Sequence, residues 1–144
     1  MELFIGGDHA GFDLKEKVKE LLAEKGMSVK DFGPHSSDSV DYPDFVHPLA
    51  AALKDKAPTE ALGILICGSG NGVCITANKH AHIRAALCWD KDLATLARSH
   101  NNANVLCLPA RFVTKEAAFD MVEAFLSATF EGGRHERRVE KIAQ

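Results

Sequence analysis

Cys67-Gly68-Ser69-Gly70-Asn71-Gly72 sets a thiol, a hydroxyl and three glycines in one short run. Glycines at this spacing let the backbone turn tightly and approach a ligand, and N–H groups left free where such a loop enters a helix favour negative charge. The run reads either as an anion site or as a plain tight turn; it is not a P-loop, because no Lys-Ser or Lys-Thr follows. Cys67 could aim its sulfur into the same pocket as a base or nucleophile, or stand as a small buried hydrophobe, which is the reading for Cys74, Cys88 and Cys107. Ser69 offers its hydroxyl to a ligand or caps the helix.

Other chemistry-bearing residues are scattered. Asp8-His9 precedes Gly11, so Asp8 is a helix cap or, with its histidine neighbour, a ligand contact. His100-Asn101 follows a helical stretch, where a helix-terminal surface histidine is the plainer meaning. Arg134 and Arg138 stand four apart, on one helix face, as a paired guanidinium site for phosphate or as a solvated basic tail. His35, His47, His80 and His82 have no spacing that assigns them a role.

Short apolar runs alternating with amphipathic ones must position these groups. Strands are expected at Leu3 to Gly6, Val29 to Phe32, Leu62 to Cys67, Ile83 to Trp89 and Val105 to Leu108. Helices are expected at Phe12 to Lys25, Phe45 to Lys56, Val73 to Lys79, Asp92 to Ser99, Lys115 to Ala128 and His135 to Gln144. Strict alternation implies right-handed crossovers onto five parallel strands with helices on both faces, an α/β single domain over residues 1–144. In such sheets ligands bind beyond the carboxyl ends of the strands. That edge carries Asp8, His9, the loop from Gly68 to Gly72, Asp90 and Arg111.

The 144 residues hold 17 Lys plus Arg against 20 Asp plus Glu, a formal charge of −3, with 46% apolar residues. This balance lacks the clustered basic footprint of a nucleic-acid binder. No apolar stretch approaches the roughly 20 residues of a membrane span and the amino-terminal segment lacks a signal-peptide pattern, so a cytoplasmic protein is expected. The four cysteines show no C-x-x-C pair and no zinc-finger histidine spacing, hence reduced thiols and no structural metal are expected.

Seven separated motifs, in order over nearly the whole chain, resemble the type B ribose-5-phosphate isomerases and the related galactose and allose phosphate isomerases. They are Gly6-Gly7-Asp8-His9-Ala10-Gly11, Asp41-Tyr42-Pro43, Ile66 to Gly72, Ala77-Asn78-Lys79, Ile83-Arg84-Ala85, His100-Asn101 with Asn104-Val105-Leu106, and Glu131 to His135 with Arg138-Val139. The resemblance implies a Rossmann-like α/β/α sandwich without cofactor or metal. It also implies a homodimer or homotetramer whose active site is shared between subunits, the carboxyl-terminal helix contacting the partner. The activity implied is aldose–ketose isomerisation of a sugar phosphate through an enediolate, ribose 5-phosphate to ribulose 5-phosphate in the pentose phosphate pathway, or the same reaction on a six-carbon sugar phosphate.

By the same resemblance Cys67 is the carbon base, and Ser69 with the N–H groups from Gly68 through Gly70, Asn71 and Gly72 holds the enediolate. His100 helps open the furanose ring, while Asp8, Tyr42 and Asn101 contact sugar hydroxyls. His9, Arg111, Arg134 and Arg138 bind phosphate, the last two from the partner subunit. Gly7, Ser69 and Asn71 depart from the commoner family residues, and Val73 stands where some members carry a glutamate base. Two other classes remain at this stage. A dinucleotide module would use Gly68-x-Gly70 with Asp90 some 20 residues on, although Val73 replaces the third small residue. A silent sugar-phosphate binder would keep the pocket without turnover.

Overall fold

Ala61–Cys67, the third strand in chain order (β3), is buried along its whole length on both faces. A strand is buried this way only between two helical layers, and the sheet around it is all parallel. The computed structural model describes residues 1–143. The other strands are β1 (Glu2–Gly7), β2 (Val29–Asp31), β4 (Ala85–Leu87) and β5 (Val105–Pro109). The helices are α1 (Phe12–Glu24), α2 (Pro43–Ala52), α3 (Asn71–Ala77), α4 (Lys91–Ser99), α5 (Lys115–Ser127) and α6 (Arg134–Glu140), with 3₁₀ turns at His9–Gly11 and Lys141–Ala143. The strand order is β2-β1-β3-β5-β4, the three-layer α/β/α arrangement expected.

Successive side chains of a strand point to opposite faces, so the two cores read off as alternate residues. Leu62, Ile64 and Ile66 of β3 join Leu106 and Leu108 of β5 against α1, α4 and α5, around Val18, Leu22, Ala97, Val122 and Phe125. Leu65 and Cys67 join Val105 and Cys107 on the other face, against Val46, Leu49 and Ala50 of α2 and Val73 and Ala77 of α3. This alternation sends the Cys67 side chain toward α2 and α3. The strand order makes β2 and β4 the two edges of the sheet, each with one ladder partner.

Several boundaries differ from the expected ones. Helix α2 starts at Pro43, not Phe45, because proline's fixed φ suits the first helical position. Helix α3 starts at Asn71, two residues early, because Gly70 takes φ +75° and turns the chain there. Strand β4 shrinks to three residues: just before it the Asn104 side chain takes the Arg84 N–H at 2.7 Å, while Asn78 holds the outward N–H and C=O of Ala85 at 2.8 and 2.9 Å. The last helix begins at Arg134 and tightens into a 3₁₀ turn at Lys141, while Gln144 lies outside the described residues.

One buried charge braces α1 against β2. Lys15 is fully buried, and its Nζ lies 2.6 Å from Asp31 and 2.9 Å from Glu16. Asp31 also accepts from Lys19 at 2.8 Å and from the Gly33 N–H at 2.8 Å. Burial would raise the Asp31 carboxyl, but the hydrogen bonds from Lys15, Lys19 and Gly33 outweigh it and hold the group below the usual carboxylate range. A depressed folded pKa contributes stability that is present above the unfolded value, about 3.9, and is lost as pH falls through the folded one. Asp31→Asn leaves Lys15 without its nearest anion and should cost about 3 kcal/mol in urea unfolding at neutral pH. The variant should also lose less stability than the parent on acidification below about pH 4; an unchanged midpoint would show that Glu16 alone compensates Lys15.

Candidate active site

At the carboxyl edge of the sheet β1 and β3 end side by side, with Gly7 opposite Ile66. The strands run close: a Cβ on Gly7 or on Gly11 would collide with the Ile66 carbonyl. Asp8 is thereby placed next to the start of the glycine loop, buried, with Oδ1 accepting from Ala10 N at 2.9 Å and Gly11 N at 3.1 Å. It is the cap that its position suggests, and both bonds go to Oδ1, so Oδ2 is left for a ligand.

Cys67 ends β3 with its side chain almost fully buried, and Sγ accepts from the Gly70 N–H at 3.1 Å. Ser69 Oγ accepts from Asn71 N at 3.2 Å, satisfying one of the amide groups of the first helical turn, which have no carbonyl a turn earlier. The loop is hemmed in. Tyr42 lays its ring over Gly72, and the Arg111 guanidinium lies against Gly68, while Arg111 N donates to the Gly68 carbonyl at 3.0 Å. His9 Nδ1 accepts from Val40 N at 3.2 Å, which pins the long loop before α2 to the end of β1. Asp90 caps α4 through Asp92 N at 2.8 Å. The acidic residue that a dinucleotide site needs is thus engaged in a helix cap.

His100 and Asn101 do not join this group. They follow α4, which runs back across the sheet, so they sit at the amino edge beside Arg84 and Asn104. Arg84 braces the turn by donating to the Asn101 and Asn102 carbonyls at 3.1–3.2 Å through Nε, and Arg98 donates to Asn102 Oδ1 at 3.0 Å. A cavity of about 430 Å³ flanks the free edge of β4, lined by His100, Asn101, His135 and Arg138 with Ala86 to Cys88. Arg134 and Arg138 are exposed and have no carboxylate partner among the described residues. No hydrogen bond or ion pair among the described residues joins this second group to Cys67.

Two residues to which sequence reasoning gave no role complete the second group. The His100 and His135 rings are stacked, 4.0 Å between centroids and 14° between planes. Both Nε2 atoms face one oxygen of Glu131, at 3.6 and 3.5 Å. Their ligand atoms lie within 4.8 Å of one another, as a metal site would need. Near-parallel rings, however, project their in-plane lone pairs side by side and do not aim them at one ion. A carboxylate facing two ring N–H groups suits the geometry better. Glu131 and His135 lie four apart across Gly132-Gly133, outside helical spacing rules, which hides the pair from sequence.

A model of the Ribose/Galactose Isomerase family matches residues 3–142. The chain belongs to that family. A ribose 5-phosphate isomerase crystal structure from Thermotoga maritima is 51% identical, covers 99% of this chain and 97% of its own, and superposes with a TM-score of 0.94. The probable ribose-5-phosphate isomerase B of Mycoplasma genitalium is 49% identical over 97% of this chain and 92% of its own length. A structure of the enzyme from that organism with bound ribulose-5-phosphate has a TM-score of 0.93 at 48% identity, covering 99% and 93% of the two chains. The D-erythrulose-4-phosphate isomerase of Pectobacterium atrosepticum is 43% identical over 99% and 93%.

The chain is thus an aldose–ketose isomerase, which removes the dinucleotide module as a reading. In this isomerase His135 is held below the ordinary histidine range by burial, and further by His100, Arg134 and Arg138, while Glu131 pulls the other way. Glu131→Gln should therefore lower the His135 titration further, as followed by NMR of the imidazole nitrogens. An upward move would contradict the arrangement of charges around the stacked rings.

Proposed function

We propose that this isomerase interconverts ribose 5-phosphate and ribulose 5-phosphate, with Cys67 as the carbon base, in a site that two copies of the chain complete. The observation that carries the reading is the division of the machinery. The base and its glycine loop lie at the carboxyl edge of the sheet, whereas the ring-opening histidine and the paired arginines lie along the free edge of β4. A single chain cannot bring them to one sugar. A homodimer or homotetramer in which α6 reaches a neighbour can, and the exposed Trp89, Leu96 and Ile142 near that edge are apolar surface for such a contact. The ribulose-5-phosphate bound to the Mycoplasma relative supports the choice of sugar. The metabolic setting is the pentose phosphate pathway, in the cytoplasm; no helix among the described residues is long and apolar enough to cross a membrane.

The chemistry balances with one base. His100 of the neighbouring copy gives a proton to the ring oxygen as the C1–O bond to the ring breaks, and a water molecule takes the anomeric hydroxyl proton as the C1 carbonyl forms, which opens the furanose. The Cys67 thiolate takes the C2 proton, the C2–H electron pair becomes the C1–C2 double bond, and O1 takes the negative charge. The proton passes from O2 to O1, and the thiol returns its own proton to C1 as the C2 carbonyl forms. Both carbons lie on one face of a cis-enediolate, so a single sulfur reaches each. Ser69 and the first-turn N–H groups of α3 stabilise the oxygens where charge develops. Asp8, Tyr42 and Asn101 orient hydroxyls, and His9, Arg111, Arg134 and Arg138 hold the phosphate, the guanidiniums through paired N–H donors.

Cys67→Ala should lower kcat by about a thousandfold with KM within about threefold, because a carbon base acts mainly in the transition state. Retained turnover would remove Cys67 from the mechanism. Relative kcat/KM for ribose 5-phosphate, erythrulose 4-phosphate and allose 6-phosphate decides the substrate, and preference for either of the others would overturn the five-carbon assignment.

Mixing tests the shared site. Cys67→Ala and His100→Asn homo-oligomers, each inactive, are unfolded together and refolded in equal amounts. Half of the resulting dimers are mixed and carry one intact site of two, so about a quarter of parental activity should return. A mixture that stays inactive while forming mixed oligomers would place both residues in one chain's site.

A further inference from the structure

Both neighbours of the His100 ring are set in place by backbone bonds. Glu131 N donates to the Ser99 carbonyl at 3.0 Å, which ties the chain before α6 to the residue that precedes His100. His135 N donates to the Gly132 carbonyl at 3.1 Å. The two neighbours restrain different motions of the ring. Stacking on His135, at 4.0 Å and 14°, fixes the plane. A half-turn about the Cβ–Cγ bond leaves that plane as it was and only exchanges the edges on which the nitrogens lie. The Glu131 oxygen, 3.6 Å from Nε2, selects one of those two orientations. An ionised carboxylate only accepts, so it also selects the tautomer with the hydrogen on Nε2. Nδ1 is then the nitrogen left to exchange a proton.

We propose that Glu131 is a positioning residue for ring opening: its carboxylate holds His100 through Nε2–H, so that Nδ1 passes the proton to the ring oxygen of the furanose. The inference rests on the ribose 5-phosphate reading above. Nδ1–H gives its proton to the ring oxygen as the C1–O bond breaks, and water takes the anomeric hydroxyl proton. The imidazole is left as the Nε2–H tautomer that Glu131 holds, and the proton carried by water returns to Nδ1. Glu131 itself exchanges no proton. A carboxylate that orients a histidine through its second ring nitrogen does the same in hydrolytic triads. Contacts of 3.5–3.6 Å are loose for hydrogen bonds, as catalytic contacts often are before substrate binds.

A four-carbon sugar phosphate separates ring opening from isomerisation. In erythrose 4-phosphate the oxygen that would close a furanose carries the phosphate, so the sugar enters as the open aldehyde. Glu131→Ala should lower kcat/KM on ribose 5-phosphate by about tenfold or more, through kcat more than KM, with kcat/KM on erythrose 4-phosphate within about twofold of the parent's. Glu131→Gln keeps an acceptor for Nε2–H without the charge and should recover part of the loss. The Glu131 side chain is exposed, so thermal unfolding should not move. Nitrogen NMR of the imidazoles in the ligand-free protein reads the tautomer without any substrate, and decides by itself if the parent does not accept the four-carbon sugar. Neutral His100 should carry its hydrogen on Nε2 in the parent and shift toward Nδ1–H in Glu131→Ala. Equal losses on the two sugars, no loss on ribose 5-phosphate, or a parent His100 with its hydrogen on Nδ1 would overturn the inference and leave the five-carbon reading standing. A parent active on erythrose 4-phosphate and inactive on ribose 5-phosphate would overturn both.

Discussion

Asp8 N–H donates to the Ile66 carbonyl at 3.2 Å, and that bond exists because the residues at Gly7 and Gly11 carry no side chain where the carbonyl passes. The contact closes the carboxyl end of β1 onto the carboxyl end of β3. The Asp8 carboxylate consequently stands one strand from Cys67, itself held by the Gly70 N–H. Without that approach the two groups would be separated by the width of a side chain, and no loop adjustment at the surface would restore them, since both strand ends are buried in the sheet. In this chain the bare Gly7 leaves room for the Ile66 carbonyl.

A parallel sheet divides functional residues by geometry. Residues that follow strands gather at one edge, and residues that follow helices gather at the other. Cys67, Ser69, Asp8 and Arg111 are of the first kind; His100 and Asn101 are of the second. The two groups of residues therefore stand at different edges of the sheet, and under the proposed function oligomerisation is what joins them. The four arginines near the second group show how place decides role. Arg84 and Arg98 give their hydrogen bonds to the turn that presents His100, whereas Arg134 and Arg138 stay exposed and unpaired among the described residues.

The stacked histidines and Glu131 add a constraint on charge. Burial biases the His135 ring toward neutrality, and His100, stacked 4.0 Å away, with Arg134 and Arg138 strengthens that bias. Glu131 offsets it.

The α/β class, the parallel sheet and nearly every element were legible in the sequence, because period-two and helical hydrophobic patterns are local and survive in any context. Cys67, the glycine loop and Asp8 were legible for the same reason: strand–Gly–helix junctions announce a carboxyl-edge site. The boundaries that shifted, at α2, α3 and β4, moved because proline, a left-handed glycine and the Asn104 side chain act through backbone detail that hydrophobic periodicity does not record. What only the tertiary structure decided is proximity between residues far apart in the chain. Glu131 with the stacked histidines and the separation of His100 from Cys67 follow from how helices cross the sheet, and crossing is set by packing of distant side chains, which no local spacing encodes.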